Sequence, residues 1–166
     1  VGSFLSPVVF AVWVFEREEY TGVTPDGKST ALSIPLLVAA FGIGGLVGVT
    51  LAALLETVIL NHIPGVLWFP GVAVIEETIK IAIVWWLARS LKAYYLRDGM
   101  VLGACVGFGF AAFETSGYAF NALIQADDTK ILPVVETQLV RGLLTPVGHG
   151  LWTALLAGAL FAAASK

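Results

Sequence analysis

Long apolar stretches broken by short polar ones organise this chain. No charged residue falls between Lys28 and Glu56, and none between Glu56 and Glu76. Each stretch is about as long as a bilayer-crossing helix needs. The runs are too long for strands and lack period-2 alternation, and open sheet edges are not tolerated in lipid. The pattern predicts five helical segments, at roughly 3–16, 31–61, 66–96, 99–125 and 139–165. Polar connectors separate them: Glu16 to Thr30 with the turn-forming Thr24-Pro25-Asp26-Gly27, then Asn61 to Pro64, Arg97-Asp98-Gly99, and Ala126 to Glu136. The expected fold class is all-α, a polytopic transmembrane helical bundle of about five membrane-spanning segments. It forms a single membrane-embedded domain over 1–166. The chain opens on Val1 and its first apolar run, Phe4 to Phe15, is short for a span, so a trimmed N-terminus is expected.

Composition strengthens this picture. Of 166 residues, 58% are hydrophobic and only 13% charged, about half the charged share of a soluble domain. The mean hydropathy is +0.89, so the lipid bilayer is the expected solvent. Eighteen glycines would weaken soluble helices but let membrane helices pack closely. No basic stripe exists, so nucleic acid is not an expected partner. A single cysteine, Cys105, excludes an internal disulfide and a cysteine metal cluster. Basic residues orient the bundle. Arg17 and Lys28 lie in the first connector, and Arg89, Lys92 and Arg97 lie around the third. Those connectors are predicted cytoplasmic, with Lys166 inside.

Depth singles out a few polar residues. Glu76 is ten residues in from Val66, Glu114 eleven from Gln125, and His149 ten from Leu139. Each therefore lies roughly 15 Å below the same face of the membrane. Glu77 is adjacent to Glu76, and Lys80 is within one turn of both. A charge at the bilayer centre costs about 2.5–3.5 kcal/mol, so these groups must face one another or a water-filled cavity. A purely structural polar network is the plainer reading, yet Ser, Thr or Asn would serve it at lower insertion cost. Glu56, near its helix end, reads as interfacial, and His62, beside Pro64, as solvated. Cys105 and the tryptophans (Trp13, Trp68, Trp85, Trp86, Trp152) read as packing or interfacial anchors.

The residue types limit the chemistry. His62 and His149 cannot form a His-Glu-x-x-His zinc motif. Every aspartate is in a predicted connector, which excludes an aspartyl dyad. A Ser116–His149 dyad would leave the glutamates without a role, and Ser116 faces away from Glu114. Paired carboxylates with a histidine remain. One carboxylate can take a proton from water while the imidazole donates to an oxyanion or to the leaving amine. Glu76, Glu77, Glu114 and His149 are also legitimate ligands for a divalent metal such as zinc. Spacing leaves both versions open. Pro146, Gly148 and Gly150 around His149 are expected to kink the helix and leave room for a substrate backbone.

Three ordered segments carry a family resemblance. Glu76-Glu77-Thr78-Ile79-Lys80 resembles the E-E-x-x-K motif of the PrsW family. Gly107-Phe108-Gly109-Phe110, followed by Glu114, resembles its second block. Arg141-Gly142-Leu143-Leu144-Thr145-Pro146, with His149 and Trp152-Thr153, resembles its third. The likeness spans about 66 to 160. It implies a polytopic membrane protease within the wider CAAX prenyl protease superfamily. It further implies a membrane-anchored, single-pass protein substrate, such as an anti-sigma factor, and a prokaryotic cytoplasmic membrane. By resemblance, Glu76 is the water-activating base, Glu114 the second-motif acid and His149 the oxyanion donor. Glu77 completes the catalytic set, and Lys80, Phe110, Arg141 and Thr153 support it. Thr153 stands where CAAX proteases carry Asn or Asp. The competing readings are a proton-coupled transporter and a non-catalytic or immunity-type member of the same fold.

Overall fold

The computed structural model describes residues 4, 5, 9, 32–125 and 131–165. Most of the first predicted segment and the whole Glu16–Thr30 connector lie outside the described residues, as do 126–130 and Lys166. Among the described residues every regular element is helical. We label four: α1 (Ile34–His62), α2 (Trp68–Ala88), α3 (Leu96–Gln125) and α4 (Ile131–Ala164).

Three helical stretches are long and apolar enough to cross a membrane: Ile34–His62, Leu96–Ala122 and Leu139–Ala164. The expected count of five is thus supported only in part. The 21 residues of α2 would span roughly 32 Å, but Glu76, Glu77 and Lys80 sit at its middle and break its apolar character. Three predicted boundaries move. The third predicted helix stops at Ala88, not near 96, and α3 begins at Leu96. There the Ser90 hydroxyl donates to the Leu87 carbonyl, 3.0 Å away. Tyr94 then folds back, stacking on Trp85 at 5.7 Å and meeting Phe161 edge-on at 5.2 Å. At the other end, α4 starts at Ile131, eight residues before the apolar span begins at Leu139.

The bundle is built around α3, most of which is buried, while α1 and α4 turn leucines and valines outward. One core cluster joins Ala52 of α1, Ile79, Ile83 and Val84 of α2, Leu102 and Phe110 of α3, and Phe161 of α4. Cys105 is buried in the same cluster, as its apolar setting predicts.

Glycines set how closely the helices approach. Gly99, Gly103 and Gly107 recur every four residues on α3. A Cβ on them would strike the carbonyl oxygens of Ala157, Thr153 and His149, which recur every four on α4. These helices therefore touch backbone to backbone, in antiparallel register. On the opposite flank, α1 contains a π-helical turn at Gly44–Gly48, which the apolar pattern does not announce. Gly44 lies against the Val106 backbone, and Gly48 against the Phe110 ring.

Candidate active site

The three carboxylates, the lysine and the histidine come together where α2, α3 and α4 meet. On α2, Glu76 and Lys80 lie on the face that also buries Ile79, Ile83 and Val84. Lys80 is completely buried. Its ammonium has three N–H donors, and three acceptors surround it: Glu77 Oε1 at 2.8 Å, Glu76 Oε2 at 3.2 Å and His149 Nδ1 at 2.6 Å. The Phe110 ring closes the remaining side, 4.2 Å from Nζ, a distance suited to a cation–π contact. Helical geometry alone allows Lys80 to pair with either glutamate. In the structure it binds both and adds a partner from α4.

Glu77 is held a second time, and the histidine has further neighbours. Thr153 Oγ1 donates to Glu77 Oε2 at 3.1 Å. Thr153 is fully buried and supplies a donor there. The His149 ring sits 5.4 Å from the Phe110 ring, with Nε2 3.4 Å from Glu114 Oε2 and Nδ1 3.6 Å from Glu76 Oε2. Glu114 Oε1 meets Arg141 Nη2 at 3.4 Å, and the Arg141 guanidinium lies 4.1 Å over the Tyr118 ring. Glu76, Glu77, Lys80, Glu114, Arg141, His149 and Thr153 thus join one connected polar network, with the Phe110 ring against it.

The alternatives weighed from sequence fare differently. Ser116 donates to the Ala112 carbonyl at 2.7 Å, a local helix bond that turns its proton away from His149. His62 is exposed, with Nδ1 2.7 Å from the Val58 carbonyl oxygen, as expected of a solvated residue. The helix α4 runs through Pro146, whose side chain lies outside the described set. Gly148 has open space beside it, but the Phe108 ring fills the space at Gly150. The room foreseen on both sides of the imidazole therefore exists on one side only.

Glu56, expected to be interfacial, is more enclosed than an isolated interfacial carboxylate needs to be. It is half-buried, its Oε1 is fully buried, and it feels the charges of Glu76, Glu114 and Lys80. A signal was present: Gly44, Gly48 and Ala52 form a small-residue stripe at spacing four, all buried, and Glu56 is the next position on it. A stripe that lets helices approach also aims its next member inward.

The arrangement bears on metal binding through its donor chemistry. An ammonium can only donate, so His149 Nδ1 accepts from Lys80 and the neutral ring carries its hydrogen on Nε2. Neither ring nitrogen then offers a lone pair, while Glu76 and Glu77 are already bound to an internal cation. Among the described residues no three His, Cys, Asp or Glu side chains form a set able to hold a metal ion. The donor set as arranged does not fit a divalent ion.

No curated protein and no solved structure matches the chain. A family model described as PrsW family intramembrane metalloprotease matches residues 33–166. That match covers all four described helices and the whole polar network, so the chain belongs to the PrsW family and is an integral membrane protein with a membrane protease domain.

Proposed function

We propose that the chain hydrolyses a peptide bond of a single-pass membrane protein, such as a membrane-anchored anti-sigma factor, with water activated by glutamate and histidine. The observation that carries this reading is the convergence of Glu76, Glu114 and His149 from three helices around one buried lysine. A network that served only to hold helices together would have no need of three carboxylates at insertion costs of this size.

In this reading Glu76 takes a proton from water as the water oxygen bonds to the scissile carbonyl carbon. The carbonyl oxygen becomes an oxyanion and accepts a hydrogen bond from His149 Nε2–H. The C–N bond then breaks, and the proton held by Glu76 passes to the departing nitrogen. Lys80 fixes the tautomer and orientation of His149. Thr153 and Lys80 hold Glu77, which makes Glu77 a brace for Lys80 more than a second base. Glu114, anchored by Arg141, flanks the imidazole. The family description carries a metal. Because the donor set does not fit one, no step is routed through it. In the same reading α2 is itself a membrane crossing, and the membrane is a prokaryotic cytoplasmic one.

The test is reconstitution of the chain in liposomes with a single-pass substrate. Glu76→Gln, Glu114→Gln and His149→Ala are each expected to abolish cleavage while the helical fold is retained. Cleavage surviving in all three variants would sink the proposal.

A further inference from the structure

Hydrolysis within a bilayer meets a difficulty that soluble proteases do not. A substrate segment must unwind before its peptide bond can be attacked, and its freed N–H and C=O groups then find no water in the hydrocarbon region. The protease must supply partners. Around the site nearly all of the strong polar atoms are engaged: the three Lys80 N–H groups, both Glu77 oxygens and Glu114 Oε1 all have partners. Several buried atoms have no hydrogen-bond partner among the described residues, Glu114 Oε2 and Thr115 Oγ1 on α3 among them, and two more belong to charged side chains of opposite kind. One is the acceptor Glu56 Oε1 on α1, the other the donor Arg141 Nε on α4.

The two side chains share electrostatic neighbours. Glu56 and Arg141 both interact electrostatically with Glu114 and with Tyr118. Both lie toward the end of the bundle where α1 passes into α2, since Glu56 is six residues before His62 and Arg141 eight before His149. Leaving a buried acceptor unpaired is costly; Lys80 has no N–H left for Glu56, and Arg141 Nε does not bond it. Open acceptors at Glu56 and Glu114 together with an open donor at Arg141 suit a peptide backbone, which presents both groups. A cation or an anion would match only one.

We propose that Glu56 is a substrate-positioning residue, its carboxylate accepting a hydrogen bond from a backbone N–H of the unwound substrate segment beside the scissile bond. The proposal rests on the protease reading above. It adds a fourth helix, α1, to the elements that hold substrate, and it makes the ligand at this position main chain, so that sequence tolerance is expected there.

The experiment uses the full chain in liposomes and a set of substrates in which single backbone N–H groups are replaced by ester oxygens. Glu56→Ala is expected to raise KM on the order of tenfold or more, with kcat nearly unchanged. Glu56→Gln keeps a carbonyl acceptor and is expected to recover most of that loss. One ester position should weaken binding to the wild type and have no further effect in Glu56→Ala, the coupling expected of a direct contact. The idea is overturned if KM is unchanged in Glu56→Ala, if Glu56→Gln is as impaired as Glu56→Ala, or if every ester effect persists in Glu56→Ala. A wild type that cleaves nothing counts against the protease reading itself, whereas a cleaving wild type without Glu56 coupling removes this inference alone.

Discussion

Lys80 Nζ lies 2.6 Å from His149 Nδ1, across the contact between α2 and α4. This one bond ties the first motif of the chain to the third, 69 residues away. It also sets which imidazole nitrogen carries the hydrogen, and so which one can face a substrate oxyanion.

Replacing Lys80 by Met should therefore do two kinds of damage. Glu76 and Glu77 would be left buried without their cation, a loss of about 3–5 kcal/mol, read by denaturant or thermal unfolding in detergent. Cleavage should also fall below detection, because His149 would lose its orientation. Stability and activity both near wild type would contradict the central role given to Lys80.

Gly107 is the point where α3 touches the His149 backbone. A methyl group there meets the His149 carbonyl and the Gly150 backbone, which cannot swing aside as a side chain can. Gly107→Ala should cost about 1–3 kcal/mol and lower kcat by displacing the imidazole. Gly117→Ala is the matched control: nothing lies within contact of the added carbon, so stability should hold or rise slightly. Equal effects at both positions would show that helix contact at Gly107 is not what places His149.

Thr153→Val removes the hydroxyl and keeps the shape. Glu77 Oε2 would lose its donor, at a cost of about 1.5–3 kcal/mol for a bond to a charged group. Thr153→Ser should restore most of it. A valine variant as stable and as active as the wild type would mean that Glu77 does not need this anchor.

Metal dependence can be settled by chelation. The internal ammonium and the Nε2–H tautomer lead us to expect unchanged cleavage and an unchanged unfolding midpoint after exhaustive dialysis against a strong chelator. Stoichiometric zinc in the purified protein, lost together with activity and restored together with it, would overturn that expectation.

Sequence and tertiary structure contributed different things, and the division has a physical cause. Sequence alone determined the helical class and picked out Glu76, Glu77, Glu114 and His149, because a bilayer makes isolated charges so costly that they must meet. It also placed Glu76 and Lys80 on one face, since a helix fixes the phase of its own residues. Distances across helices depend on how closely the backbones approach, which no single helix encodes. The contacts of Gly99, Gly103 and Gly107 with α4 decided that Lys80 serves both glutamates and His149 at once, and that Thr153 reaches Glu77. Helix ends behaved likewise. Ala88 ends α2 because Ser90 and Tyr94 find partners in the folded bundle. Glu56 stood between the two cases: its small-residue stripe was readable in the chain, but only the packed bundle buries its Oε1.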